Sequence, residues 1–403
     1  MISKLKVKKI ILLLVVVIAG LSTVLRPSID SSLTLFRIIL PIVMAYIAMK
    51  RPRQFFVFFI ASLILSAYSI FVSVYMSRYG SFDIVFIFYY IIILFFFIYV
   101  DYVNEIVGTA TVYKFLKYLF FTFLILAYIQ LFFGGQYPNT IDRKFAVNIF
   151  FWNENEFSAT LGILLLIFFL KEKKTVLTYL IMLLAFHLIL YNGARLVIMA
   201  IAIFMFGYYY FKIPVFRVKY FGVITLICTL FFILLYTKNI TVFEGTTVKD
   251  LVFYPFEHLI NLDPVINIGS INGRLNAIIF GTMELKDSFF LGIGPGNSLK
   301  MMYSKVPSEQ LGGMATYSMH NFVYQIITEI GILGLIFLFF LVRYIIKNIK
   351  KNEVYPKMII VFFYISFTII ISILSGAFAN YFCIFAFYYS IHFFRDNVSG
   401  ISK

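Results

Sequence analysis

Long apolar runs alternate with short polar breaks from one end of the chain to the other. A helix that crosses the hydrocarbon core of a bilayer needs roughly 20 residues, with about 17–25 the usual range. On that scale the pattern predicts twelve spans, near 10–25, 33–49, 55–76, 82–100, 113–133, 157–170, 175–191, 194–211, 219–236, 320–346, 356–374 and 377–394. Several are short of a full crossing, so tilt or extension into the interface has to complete them. The expected fold is all-α, a polytopic integral membrane protein of about 12 transmembrane helices. One polar stretch is too long to be a simple connection. It divides the chain into spans one to nine (1–236), a large loop with an amphipathic helix near 272–286 (237–319), and spans ten to twelve (320–403).

Composition agrees with this pattern. Apolar residues make up 62% of the chain and charged residues 13%, with a mean hydropathy of +0.96; soluble domains run at about 45–50% and about 25%. The formal net charge of +16 does not indicate nucleic acid, because the basic residues are scattered in short clusters between apolar runs. That is the pattern of cytoplasmic loops. With the N-terminus inside, 22 of the 34 Lys and Arg residues fall in predicted cytoplasmic segments. The short outer segments hold only Arg26, Arg78, Arg143, Lys144 and Arg195. Both termini are therefore expected in the cytoplasm and the 237–319 loop outside. The opening "MISKLKVKKIILLLVVVIAG" has the parts of a signal peptide, but further spans follow, so it reads as an uncleaved anchor. Cys228 and Cys383 lie in apolar runs, no two histidines are spaced as metal ligands, and no acidic cluster resembles a magnesium site. No cofactor or metal is expected.

Candidate chemistry lies on the predicted outer side. "NGARLVIM" and "NGRLNAII" each lead from Asn-Gly into an arginine and then an apolar run. Asn-Gly suits a turn. A helix beginning at Ala194 or Arg195 would leave its first N–H groups unpaired and its positive dipole end outward. A guanidinium there adds a rigid fork of donors that matches phosphate oxygens. Arg274 repeats the logic in the external loop, where Asn272 is expected as N-cap. Leu275, Ile278, Ile279 and Met283 follow at helical spacing, giving a helix whose apolar side lies down on the membrane. The competing reading makes Arg195 a snorkelling residue and Arg274 an ordinary surface arginine.

In "MHNFVYQIITEIGILGLIF", His320, Tyr324 and Thr328 share one helical face, and Asn321, Gln325 and Glu329 its neighbour. An ionisable Glu329 there should point into the bundle, and for Glu329 and Gln325 a packing network explains the stripe better than catalysis. His320 sits at the helix start, whose positive end favours the neutral imidazole that can accept a proton. "GIGPGNS" lacks the Gly-Lys-Ser/Thr ending of a P-loop and reads as a tight turn. His187 could approach Arg195, but a buried structural histidine is the simpler expectation. "IDRKFAVNIFFWNENEFSATL", with Arg143, Trp152, Asn153 and Asn155, is either a carbohydrate-facing loop or a capped lead-in to span six.

Taken in order, "NENEFSATL", "NGAR" at the start of a span, "INGRLNAI", "LGIGPGN" and "HNFVYQIITEIGILGLIF" resemble the O-antigen polymerase and O-antigen ligase superfamily (Wzy-type polymerases and their ligase relatives). These motifs cover roughly 140–340, and the first five spans carry none of them. The resemblance implies a GT-C-like membrane glycosyltransferase. It would act on glycans carried by a polyprenyl diphosphate, such as undecaprenyl diphosphate, at the outer face of the bacterial cytoplasmic membrane, without a metal ion. It further implies that Arg195 and Arg274 hold the diphosphate and that His320 serves the acceptor. Arg143, Asn155, Asn321 and Tyr324 are further candidate substrate contacts. The family's span-eight arginine usually follows a serine; here Ala194 stands in that place, so any hydroxyl contact from it is absent.

The expected activity is polymerisation of surface polysaccharide (O-antigen of lipopolysaccharide, or capsule) with inversion. Both donor and acceptor would be polyprenyl-diphosphate-linked oligosaccharides. The expected partners are membrane lipid, a chain-length regulator and a flippase. A ligase reading differs only in the terminal acceptor. A transporter of the lipid-linked unit is the alternative of another class. Against it, no inverted repeat is apparent and the polar features crowd one face rather than the midplane.

Overall fold

The computed structural model describes residues 4–21, 34–79, 83–134, 146–151, 154–212, 241–243, 246–247, 254–264, 270–305, 319, 321–349, 357–372 and 381–396. Among these, the N-terminal helices are α1 (Lys4–Gly20), α2 (Leu35–Lys50), α3 (Pro52–Phe71, prolonged by a π-helical turn Val72–Met76), α4 (Ile84–Val107) and α5 (Thr109–Phe133). Next come α6 (Glu154–Lys171), α7 (Val176–Tyr191), α8 (Arg195–Lys212), α9 (Tyr254–Asn261) and α10 (Ser270–Asp287). The last are α11 (Asn297–Lys305), α12 (Phe322–Ile349), α13 (Lys357–Ile371) and α14 (Tyr381–Asp396). Among the described residues the fold is all-α apart from one short antiparallel hairpin, β1 (Thr241–Phe243) with β2 (Thr246–Thr247). Local chemistry sets several helix starts. Thr34 and Thr175 are N-caps that accept from Arg37 N and Thr178 N, each at 3.3 Å. Pro52 opens α3, where its missing N–H costs nothing.

A described helix falls on each predicted span except 219–236, which lies outside the described residues. Among the described residues, five helical stretches are long and apolar enough to cross a membrane: Pro52–Met76, Ile84–Val107, Thr109–Phe133, Arg195–Lys212 and Val323–Lys347. Val176–Tyr191 and Lys357–Ile371 are apolar but shorter. Several apolar helices thus fit an integral membrane protein, while the number twelve rests on the sequence pattern.

The chain forms two compact units that interleave in sequence. The first comprises Met1–Tyr68, Ile84–Phe204 and Phe339–Lys403. At its centre is α6, buried all round from Glu154 to Leu170 except at Asn155; a helix apolar on every face has to be enclosed by others. Around it pack α5, α7, α13 and α14, and α14 also packs against α1 and α4. Charged groups gather at one end of this bundle. Arg51, between α2 and α3, pairs with Asp101 (2.5 Å) and Glu105 near the end of α4, and Asp101 also faces His392 near the end of α14 (3.7 Å). Tyr113 and Lys117, from the beginning of α5, reach Glu172 just past α6 at 2.5 and 2.9 Å. Starts of odd-numbered helices thus meet ends of even-numbered ones, the alternation that successive crossings require.

The second unit comprises Ser69–Asp83 and Met205–Leu338. Its small core forms where α10 meets α11 and the start of α12. Ala277 and Phe280 pack with Ile293, Met301, Met302 and Met319, flanked by Tyr79, Met283 and Tyr324. On another face of α10, Leu275 and Ile279 pack with Leu259 and Leu262. Two expectations are corrected here. The helix begins at Ser270, so Asn272 lies in its first turn and is not the N-cap. Its apolar residues are buried against protein on two faces, because α9 on one side and α11 on the other offer apolar surface, so it does not lie with one face down on a membrane.

Candidate functional site

In the first unit the α7–α8 turn is built by its Asn-Gly pair. Gly193 adopts φ 65°, and Ala194 N donates back to Ile189 O at 3.2 Å, closing the helix end with a left-handed residue. The Asn192 side chain works elsewhere. Its Oδ1 accepts from Val147 N at 2.9 Å, while Nδ2 donates to Val147 O at 2.7 Å and to Ser158 Oγ at 3.0 Å. Gln130, near the end of α5, holds the same segment from the other side. Its Oε1 accepts from Asn148 N (3.1 Å) and Ile149 N (2.7 Å). Two amide side chains therefore fasten the lead-in to α6 onto the ends of α5 and α7. Arg195 then emerges as the first residue of α8. It is exposed, and its guanidinium has no side-chain partner among the described residues. A free fork of donors at a helix N-terminus can bind an anion.

In the second unit the "LGIGPGN" turn docks on the start of α12. Gly292, Gly294 and Gly296 all have positive φ, as the tight-turn expectation requires. Helix α12 breaks at Gly331 (φ 50°, ψ −131°), and the loop backbone takes up the freed groups. Ile293 N donates to Thr328 O at 3.0 Å and Gly294 N to Glu329 O at 2.9 Å; Ile332 N donates to Phe290 O at 2.9 Å. Span ten is therefore an interrupted helix, with its irregular backbone satisfied by protein. Its polar stripe points into this unit. Glu329, fully buried, accepts from Ser298 Oγ and from Gln325 Nε2 (3.0 Å). Tyr324 OH donates to Ile278 O at 2.9 Å and contacts Thr282 Oγ1. Asn321 Oδ1 accepts from Tyr324 N at 3.0 Å, which makes Asn321 the N-cap of α12.

The candidate residues are thus placed unevenly. Arg195 is in the first unit, on α8. Asn155 is half-buried in the first turn of α6. Asn321 and Tyr324 are in the second unit, committed to helix capping and to α10. Arg274 lies in the second turn of α10, with its side chain outside the described residues; His320 and Arg143 also lie outside them. His187 is exposed, not buried: its ring stacks on Tyr128 at 6.0 Å, with Nδ1 3.1 Å from the phenol oxygen. The exposed ring lies against α5, whose tyrosine supplies the polar contact.

One polar cluster left no signal in the sequence. Glu284 on α10 is 2% exposed, accepts from Tyr79 OH at 3.0 Å and pairs with Lys305 Nζ at 3.3 Å. Burial, with Glu284 beside it, pushes the Tyr79 phenol up to about 12, so it stays a donor. The three residues lie far apart along the chain, and no local spacing connects them. Among the described residues no three His, Cys, Asp or Glu side chains gather as metal ligands.

Residues 177–339 match the family model Wzy_C, described as O-antigen ligase. That stretch spans Arg195, Arg274 and His320 together with the α9–α11 segment. No curated protein and no solved structure matches the chain. The match over 177–339 is consistent with the O-antigen polymerase and ligase superfamily and with a membrane glycosyltransferase-like enzyme.

Proposed function

We propose that this chain polymerises surface-polysaccharide repeat units, transferring the glycan from its polyprenyl diphosphate carrier to another lipid-linked repeat unit. The observation that carries the reading is the Wzy_C match over 177–339, because all three residues assigned to the reaction fall inside it. A glycan on a diphosphate already has a good leaving group. The barrier lies in the charge that appears on the diphosphate and in the oxocarbenium character at the anomeric carbon. Arg195, exposed at a helix N-terminus, and Arg274, in the second turn of α10, would neutralise that charge from preorganised positions. His320 would take the proton from the acceptor hydroxyl as the new bond forms, typically worth about 10²–10⁴-fold. The acceptor oxygen bonds to the anomeric carbon as the diphosphate leaves with the electron pair, so the anomeric centre inverts. The site would face outward across the bacterial cytoplasmic membrane.

The ligase description of the matching family favours a second reading, transfer of the finished chain to a different terminal acceptor. One experiment separates the two. Purified protein incubated with a single lipid-linked repeat unit should give a ladder of longer lipid-linked products. A ligase gives no ladder and needs the second acceptor. Movement of the lipid across liposomes without any new glycosidic bond would replace both with transport.

A further inference from the structure

Helix α10 and the start of α12 meet at a glycine. A Cβ on Gly281 would lie 2.8 Å from both Tyr324 Cε1 and Thr328 Oγ1, and 3.1 Å from Met319 Cε. Carbon atoms in ordinary contact are about 3.5–4.0 Å apart, so the helices approach this closely only because residue 281 has no side chain. In a helix interior a glycine otherwise weakens the helix; here the close approach accounts for it. One phenol holds the approach. Tyr324 OH donates to Ile278 O at 2.9 Å, and the same carbonyl accepts from Thr282 Oγ1 at 2.8 Å, which also contacts the phenol oxygen. Ile278, Gly281 and Thr282 are three and four residues apart, on one face of α10. The ring and hydroxyl of Tyr324 therefore fix both the distance between the two helices and their register.

Both residues that the proposed reaction draws from this unit are tied to that crossing. Arg274 stands seven residues before Gly281 on the same helix, about 10 Å along its axis. His320 comes between Met319, which is buried in the core cluster with Ala277 and Phe280, and Asn321, which caps α12. Successive Cα atoms are about 3.8 Å apart, so a residue between two placed neighbours moves with them.

We infer that Gly281 and Tyr324 are positioning residues: they set the crossing of α12 on α10, and through it the separation of His320 from Arg274. This role rests on the parts proposed above for His320 as base and Arg274 as diphosphate ligand. It takes Tyr324 out of the substrate contacts, because its hydroxyl is committed inside the protein. Gly281→Ala has to open the crossing by about 1 Å to reach ordinary contact. A misplacement of that size, even one made far from the chemistry, costs about 100-fold in rate.

The test is a double-mutant cycle on the full chain in detergent, with a purified lipid-linked repeat unit as donor and acceptor. Gly281→Ala should lower kcat about 100-fold while the dissociation constant of the donor stays within about a factor of two. In a His320→Ala background the same substitution should have little further effect, because no base remains to be misplaced. Damage to packing alone behaves differently: it removes active protein by the same factor in either background, so the two losses multiply. If Gly281→Ala does not fold, Tyr324→Phe carries the test. It keeps the ring and should lower kcat about threefold to tenfold, as the loss of one hydrogen bond from the crossing implies, again with little further effect beside His320→Ala. Parental turnover in both variants, or losses that multiply with that of His320→Ala, overturn the positioning role and leave the proposed reaction standing. A parent that forms no glycosidic bond from the lipid-linked unit, or whose turnover is untouched by His320→Ala, overturns the proposed reaction and the positioning role with it.

Discussion

An arginine and a lysine carry the same charge, but only the guanidinium offers a planar fork to two oxygens at once. Arg274→Lys should therefore lose about 100-fold or more in turnover with a purified lipid-linked donor; full activity would remove Arg274 from the reaction. His320→Ala should bind the donor as before and lose about 10²–10⁴-fold in turnover, the usual worth of a general base. Unchanged turnover would end that assignment. Glu329 makes the opposite case. Its carboxylate accepts from Ser298 and Gln325 in a fully buried place, so Glu329→Ala should cost about 1–3 kcal/mol by stranding both donors. Glu329→Gln keeps an acceptor and should melt closer to the parent. A Glu329→Ala protein that melts like the parent but does not turn over would make Glu329 part of the chemistry. Residue types at these positions were legible in the sequence because helix starts and polar stripes are local patterns. The Asn192–Val147 bonds were not, because a side chain that fastens a segment forty-five residues away leaves no trace in spacing.

At the scale of elements, the helices follow from apolar run length, and "GIGPGNS" was readable as a turn from its glycines. What that turn packs against was not readable. Its partner is the break in α12 at Gly331, and the two meet through backbone groups that every residue possesses. The same gap explains the misreading of α10: a one-sided apolar pattern gives the buried side but not whether lipid or α11 covers it, and here a second face is covered as well. The docking makes a strict demand at Gly292. Its φ is 93°, and a Cβ there would come within 2.7 Å of both Glu329 O and Gly331 N. Gly292→Ala should destabilise the protein by about 1–3 kcal/mol or more through strain and displacement. The check is a lower melting temperature in detergent, together with protease cleavage near 290–296. An unaltered melt would show that this loop does not brace the α12 break.

For the whole molecule, the proposed reaction requires residues of two units to act on one ligand, since Arg195 belongs to the first and Arg274 and His320 to the second. If both grip one diphosphate, their contributions to donor binding cannot be independent: once one fork is lost, the phosphate shifts and the other fork loses geometry. A double-mutant cycle reads this directly. Arg195→Gln and Arg274→Gln should each weaken donor binding about tenfold or more, and the double variant should fall well short of the product of the two. Sites that do not share a ligand add to within about 0.3–0.5 kcal/mol, roughly a factor of two in affinity. A double variant at the full product, within that factor, would therefore place the two guanidiniums on separate ligands and remove the shared diphosphate from the mechanism. The same preparation assayed in excess chelator should keep its activity, since the charge is carried by side chains in this account; loss of activity restored by a divalent ion would transfer that role to a metal.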